Sequence, residues 1–180
     1  MSQDKIQDLE AVNKADPGQE KTHDVYLIVC TEKEELSVSL RYTARMAAYN
    51  NANMALLATM DTQEFQHWQN VENMMRRELR DKTEKKVWTI GKKINELNGL
   101  FPIIYIKEGE KENAVLDVLK EDPNIKMIVF AGNTGSGGPG TLVNYFTSKG
   151  LSKIKVPVVV VPGNLQSNEI DELFGIKSIE

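Results

Sequence analysis

The residues best suited to chemistry form a glycine-rich stretch, Gly132 to Thr141, with the sequence GNTGSGGPGT. Five glycines and one proline fall within its first nine residues, directly after the apolar run Met127 to Ala131. A buried strand that ends in glycine presents backbone N–H groups at the carboxyl edge of a sheet, where anions bind. The hydroxyl groups of Ser136 and Thr141, and a helix beginning near Thr141, would add to such a site. The stretch therefore predicts a nucleotide or phosphate site; the alternative is a surface loop that only connects a strand to a helix.

Two other phosphate-binding motifs match this stretch by letter alone. Gly135 to Gly140 reads GxGxxG, but it follows the fourth predicted strand, and apolar Val160 stands about 20 residues on, where a dinucleotide site needs an acid for the ribose. The same residues resemble a P-loop, but Thr141 takes the place of the lysine that must reach the phosphates. We therefore expect neither a dinucleotide site nor P-loop NTPase chemistry.

Groups for covalent or acid–base catalysis are sparse. His23 lies in the polar N-terminal region, and His67, beside Phe65 and Trp68, is more typical of a capping or packing role. Cys30, the single cysteine, ends an apolar run and is typical of a small buried hydrophobe, with a minor redox role as the alternative. No nucleophile is paired with a base, and no metal-ligand spacing occurs. The sequence favours a non-catalytic protein without a metal site.

Length and composition indicate one globular domain. The chain has 180 residues, of which 41% are hydrophobic, and a formal net charge of −4, which argues against a nucleic-acid partner held by phosphate contacts. A single cysteine excludes an intrachain disulfide, and no apolar run approaches the roughly 18 residues of a membrane span. We expect a cytoplasmic protein with a flexible N-terminal arm over residues 1–24 and one domain over 25–180. The arm has a short helical pattern at Ile6, Leu9 and Val12.

Strand and helix patterns alternate along the folded part of the chain. Continuous apolar runs predict strands covered on both faces, and apolar residues three or four apart predict helices between them. Within the long helix, Met74 and Met75 are predicted to lie in the core. This alternation predicts a parallel sheet with helices on both faces and leaves the strand order open. The predicted strands are 25–30, 54–60, 102–109, 127–131 and 155–161, and the predicted helices are 34–50, 66–98, 110–121, 141–149 and 168–174.

Three stretches of the chain resemble the universal stress protein family. They are VYLIVCTEKEELSVSLRYTARMA from Val25, IVFAGNTG from Ile128 and VPVVVVPG from Val156, which together span roughly residues 25–163. A fourth stretch, FQHWQNVE from Phe65 to Glu72, is similar to a block found in a bacterial branch of that family. The resemblance implies a three-layer, doubly wound, five-stranded parallel sheet of order 3-2-1-4-5, of the Rossmann-like adenine-nucleotide-binding type. It also implies a homodimer in most members and, in one subset, an ATP site where strands one and four meet.

The chain matches half of the pattern that marks the ATP-binding subset. That pattern is glycine, two residues, glycine, nine residues, then glycine followed by serine or threonine, with an aspartate just after the first strand. Gly132 and Gly135 match the first two glycines, but Tyr145 and Phe146 stand at the third position, and Gly140-Thr141 comes too early by this count. The aspartate position holds Thr31, followed by Glu32. The candidate nucleotide-binding residues are Thr31, Glu32, Thr59, Gly132, Asn133, Gly135, Ser136, Gly137, Gly140 and Thr141, with ATP and Mg²⁺ as the candidate ligands.

The resemblance also points to a partner and to three possible functions. In a sheet of this order the fifth strand is an edge, and its run of valines needs cover, which predicts a homodimer through Val156 and Val158–Val161. We expect a non-catalytic stress-response protein that binds an adenine nucleotide at the crevice between strands one and four. The alternatives are a nucleotide-free, homodimeric protein-interaction module and, more weakly, an ATP hydrolase on the same scaffold. Neither a nucleic-acid nor a membrane partner is expected.

Overall fold

The computed structural model describes residues 24–30, 35–60 and 72–176. The predictions for the N-terminal arm before Asp24, for Thr31 and Glu32, and for His67 with its aromatic neighbours lie outside the described residues. Every predicted strand and helix is confirmed within those ranges, with ends shifted by at most a few residues. The strands are β1 Val25–Val29, β2 Asn53–Met60, β3 Ile103–Glu108, β4 Ile125–Gly132 and β5 Val158–Pro162; the helices are α1 Glu35–Tyr49, α2 Glu72–Asn98, α3 Lys111–Glu121, α4 Thr141–Phe146 and α5 Ser167–Leu173, with a 3₁₀ turn at Leu151–Lys153.

The five strands form one parallel sheet in the order β3-β2-β1-β4-β5. This confirms the order implied by the family resemblance. The central strand β1 is buried on both faces, which is why Leu27, Ile28 and Val29 form a continuous apolar run without alternation. The outer strands also fit their sequences, because the proline before β3 and the proline at the end of β5 cannot donate to a neighbouring ladder and suit edge positions.

Helices cover both faces of the sheet, and the winding reverses between β1 and β4. One face packs against α1 and α2, through residues such as Leu40 and Ile94. The other face packs against α3 and α4, through residues such as Val115 and Phe146. The chain therefore leaves β1 toward one face and leaves β4 toward the other. Such a reversal opens a crevice at the carboxyl ends of the two strands.

The long helix α2 has the predicted stripe of buried side chains, but one residue predicted to lie in the core is exposed. Thr83, Val87, Ile90 and Ile94 are buried at the expected spacing. The prediction that Met74 lies in the core is wrong, because its side chain is 72% exposed. Thr83 is the first fully buried side chain described in α2, and Met75 and Leu79 before it are half-buried. No helix in the described ranges is both long enough and apolar enough to cross a membrane.

The C-terminal helix α5 packs on the α1 face of the sheet through partly buried ion pairs. Asp171 accepts hydrogen bonds from Arg41 Nε at 3.1 Å and from Arg45 Nε at 2.9 Å, and Arg41 Nη2 also bonds its second oxygen. Ile170 beside it is fully buried, and the Phe174 ring meets an α1 tyrosine edge-on. The hydrogen bonds from Arg41, ahead of those from Arg45, hold the pKa of Asp171 below its usual range. Side chains far apart in sequence therefore fasten α5 to α1.

Candidate functional site

The carboxyl ends of β1 and β4 lie side by side at one rim of the sheet. Ile28 of β1 is paired with Val129 of β4, and no strand lies between them. Beyond the last β1 residue, the N–H of Cys30 still bonds Leu57 O of β2 at 2.7 Å. The chain thus leaves β1 at the rim where β4 ends in Gly132. The predicted meeting of the β1 and β4 ends at one rim is confirmed, while Thr31 and Glu32 themselves lie outside the described residues.

The loop after β4 is folded back on itself by Asn133. The Asn133 N–H donates to Pro139 O at 3.2 Å, which joins the two ends of the loop. The Asn133 side-chain oxygen accepts the N–H of Gly135 at 2.8 Å. The loop also continues the sheet, because the Gly163 N–H donates to Gly132 O at 2.8 Å. The backbone and the half-buried side chain of Asn133 therefore both organise the loop, and the side chain occupies an N–H donor that an anion would otherwise use.

Two glycines adopt backbone conformations that other residues avoid. Gly138 has φ of 78° and Gly140 has φ of 101°, and a Cβ built on either would meet no atom within 4 Å. Gly140, with ψ of 155°, immediately precedes α4, and Thr141 is the first residue of that helix. The N–H groups in the first turn of a helix have no hydrogen-bond partner within that helix, so those of α4 face the loop. The loop surface here is backbone and open space rather than side chain.

The residues considered for the third element of the ATP pattern lie at two different places on α4. Counting nine residues from Gly135 leads to Tyr145 and Phe146, and Phe146 is fully buried, with its ring stacked on Phe130 at 5.5 Å between centroids. These two residues belong to the core side of α4 and not to its start. Gly140 and Thr141, which come too early by the count, are the glycine-hydroxyl pair that stands where the helix begins.

The remaining candidates take different positions around the rim. Gly135, Ser136, Gly137 and Thr141 are exposed on the loop. Thr59 is half-buried on β2, opposite Lys107 of β3, so it lies at the same rim but beyond the β1 end. The structure thus brings together Gly132, Asn133, Gly135, Ser136, Gly137, Gly140 and Thr141 on one loop and places Thr59 two strands away.

Val160 of β5 is a neighbour of the loop that the sequence motifs did not indicate. A Cβ on Gly132 would lie 2.9 Å from Val160 Cγ1, so the missing side chain of Gly132 is what lets this valine pack there. Val160 is paired with Phe130, two residues before Gly132, and strand alternation places both side chains on one face. The pairing of β4 with β5 was the signal that could have identified it.

Hydroxyl and backbone N–H groups are the binding chemistry that the loop offers. They suit the oxygens of a phosphate group, and the open glycine surface leaves room for a chain of phosphates. Within the described ranges, no group of three or more His, Cys, Asp or Glu side chains could hold a metal ion.

Solved structures of known fold match the chain over most of its length. A universal stress protein UspA from Lactobacillus plantarum aligns with a TM-score of 0.64 and 13% identity, covering 77% of this chain and 97% of the other. A universal stress protein family member from Burkholderia pseudomallei gives 0.59 and 12%, covering 80% and 99%. A universal stress protein from Archaeoglobus fulgidus gives 0.55 and 11%, covering 76% and 92%. The chain has the universal stress protein fold.

The resemblance seen in the sequence is confirmed at the level of this fold. No family model matches the sequence, and no curated protein matches it. The universal stress protein fold of this chain therefore rests on strand order, helix placement and the structural matches together. Assignment to a bacterial branch stays a prediction, because the block from Phe65 that suggested it lies outside the described side chains.

Proposed function

We propose that the chain is a non-catalytic, universal-stress-like protein that binds an adenine nucleotide at the rim between β1 and β4. The observation that carries this proposal is the position of the Gly132–Thr141 loop. It leaves the sheet where the winding reverses, which is where open α/β sheets take their ligands. The loop also combines glycine backbone, the hydroxyl groups of Ser136 and Thr141 and a helix start at that place.

The phosphates of the nucleotide would lie along the glycine-rich loop. The N–H groups around Gly137, Gly138 and Gly140 would donate to phosphate oxygens, with the hydroxyl groups of Ser136 and Thr141 beside them. Thr31 and Glu32, at the exit of β1, would face the ribose or a phosphate-bound Mg²⁺. The helix start adds little by its dipole alone, since α4 is only six residues long.

A second candidate, a nucleotide-free interaction module, is favoured by the internal bonding of the loop. Asn133 already satisfies the N–H of Gly135, and Pro139 already accepts the N–H of Asn133. A loop whose internal hydrogen bonds form without a ligand can present a fixed shape to another protein. In that case the chain would meet its partners as a folded surface and show no response to ATP.

A homodimer is part of both candidate functions. The Ile128 N–H bonds Pro157 O, and the Gly163 N–H bonds Gly132 O. By the regular pattern of a parallel ladder, the backbone groups of Val158 and Val160 point away from β4 and toward the edge. We propose that the same strand of a second copy pairs with them, antiparallel across a two-fold axis.

Asn133→Asp tests nucleotide binding directly. The carboxylate can still accept the Gly135 N–H, so the loop keeps its fold, but it adds a negative charge beside the proposed phosphates. At about 4 Å in water the repulsion is about 1 kcal/mol, so ATP affinity should fall at least about fivefold. Isothermal titration with ATP and Mg²⁺ measures this, and Asn168→Asp, an exposed site on α5, is the matched control and should leave affinity unchanged.

The outcomes separate the three functions. Heat of binding in the parent chain that weakens only in Asn133→Asp supports nucleotide binding at the loop. Binding that is equal in both variants contradicts this site. No heat and no thermal stabilisation with ATP leaves the interaction module. Release of phosphate during the titration, followed in a separate assay, would point to the hydrolase.

A further inference from the structure

An apolar surface remains open where α1 and α5 end. Tyr49, the last residue of α1, is 76% exposed, and Leu173, the last residue of α5, is 65% exposed. Ile176 is also exposed, and its N–H donates to Asp171 O at 3.0 Å, which keeps it at the end of α5. The centroid of the half-buried Phe174 ring lies 6.4 Å from that of the Tyr49 ring. We call Tyr49, Leu173, Phe174 and Ile176 the Tyr49 patch.

The Tyr49 patch lies next to the point where the N-terminal segment joins the fold. The carbonyl oxygen of Asp24 accepts the N–H of Asn53 at 2.8 Å, and the Ala52 N–H closes the end of α1 by bonding Ala47 O at 2.8 Å. Asp24 is therefore joined to the turn that follows Tyr49 directly. Residues 1–23 must enter the fold at the rim that carries the patch.

The sequence of residues 1–23 contains one segment that suits an apolar surface. Ile6, Leu9 and Val12 recur at intervals of three, which places them on one side of a short helix, with Asp8 and Glu10 on other sides. The eleven residues 13–23 that follow can span about 35 Å at about 3.3 Å each, which is ample for a return to the rim. Because the segment is tethered, its local concentration at the patch is of millimolar order, so a modest apolar contact is sufficient to keep it bound there.

We infer that the N-terminal segment packs on the Tyr49 patch through Ile6, Leu9 and Val12 of the same chain. The contact covers the side chains that α1 and α5 leave open and gives the segment a fixed place at the rim opposite the nucleotide loop. It is independent of the proposed function, since neither the loop nor β5 takes part.

Hydroxyl-radical footprinting of the full chain tests this contact. In the parent chain, the side chains of Tyr49 and Leu173 should be modified more slowly than expected for side chains with their exposed fractions in the described fold. Leu9→Asp should remove this protection, since a carboxylate cannot enter an apolar contact without a partner. Gln7→Asp, which adds the same charge off the apolar side, should keep it. Met74, exposed on the distant helix α2, should be modified equally in all three chains and serves as the internal standard.

Two results would overturn the inference. Equal modification of Tyr49 in the parent chain and in Leu9→Asp would mean that the segment does not cover the patch. Protection that disappears on dilution, while Leu9→Asp has no effect, would assign the cover to a second copy instead. Protection that is lost only in Leu9→Asp and is constant over a tenfold range of protein concentration supports it.

Discussion

Replacing Gly140 by alanine isolates the backbone conformation that begins α4. With φ of 101° and ψ of 155°, Gly140 lies in a region that is essentially restricted to glycine. A Cβ there would touch nothing within 4 Å, so the cost is torsional and not steric. Gly140→Ala should therefore lower the free energy of unfolding by about 1–3 kcal/mol. For a domain of this size that corresponds to a fall in Tm of about 2–12 °C.

Gly137→Ala is the matched control in the same loop. Gly137 is exposed, has no positive φ, and a Cβ there would lie 4.0 Å from Asn133 Nδ2, an ordinary contact. This variant should stay within about 0.5 kcal/mol of the parent chain. Thermal unfolding followed by circular dichroism measures both variants. If Gly140→Ala is as stable as Gly137→Ala, α4 does not begin at Thr141 through a glycine-only conformation, and the account of this helix start is wrong.

Three further substitutions test the ion pairs of Asp171, the packing of α4 on the sheet and the edge strand β5. Asp171→Asn should destabilise the chain by about 1–3 kcal/mol at neutral pH, against little change for exposed Glu172→Gln, when measured by urea unfolding. Because pairing lowers the pKa of Asp171, its contribution is present at higher pH and is lost on acidification, so the gap between parent and Asp171→Asn should close as the pH falls below about 4, and a constant gap would contradict the assignment. Phe146→Ala should cost about 3–5 kcal/mol by emptying a fully buried site, and a near-neutral result would mean that α4 does not pack as described. Val160→Pro removes an N–H that points away from β4, so light scattering should show a monomer in place of the dimer that we propose for the parent chain; a persisting dimer would place the interface elsewhere.

Local pattern in the sequence was sufficient for the secondary structure and the class of fold. Continuous apolar runs and a change of period from strand to helix depend on neighbours within a few residues, so they can be interpreted without knowing what each element packs against. The stripe of α2 from Thr83 to Ile94 is an example, and it is buried as predicted. Met74 was mispredicted for the same reason, since a local pattern does not reveal how far along a helix the sheet extends.

The nucleotide loop shows where counting along the chain fails. A pattern with fixed spacing assigns Tyr145 and Phe146 to the phosphates, whereas the fold buries Phe146 and starts α4 five residues earlier, after Gly140. Spacing is a one-dimensional quantity, but the position of a helix start depends on where its apolar side chains meet the sheet. The role of Asn133 was equally hidden, because its side-chain oxygen accepts the Gly135 N–H while its backbone N–H donates to Pro139 O, and both contacts depend on how the loop folds.

The sequence by itself determined the alternation of strands and helices, the glycine-rich exit of β4 and the valine-rich strand that became an edge. Only the tertiary structure decided that the ends of β1 and β4 meet at one rim, that Val160 packs over Gly132, and that Asp171 pairs with Arg41 across 130 residues of sequence. The physical reason is range: periodicity and turn chemistry act between near neighbours, while strand order and ion pairs between distant segments are fixed only when the whole core closes.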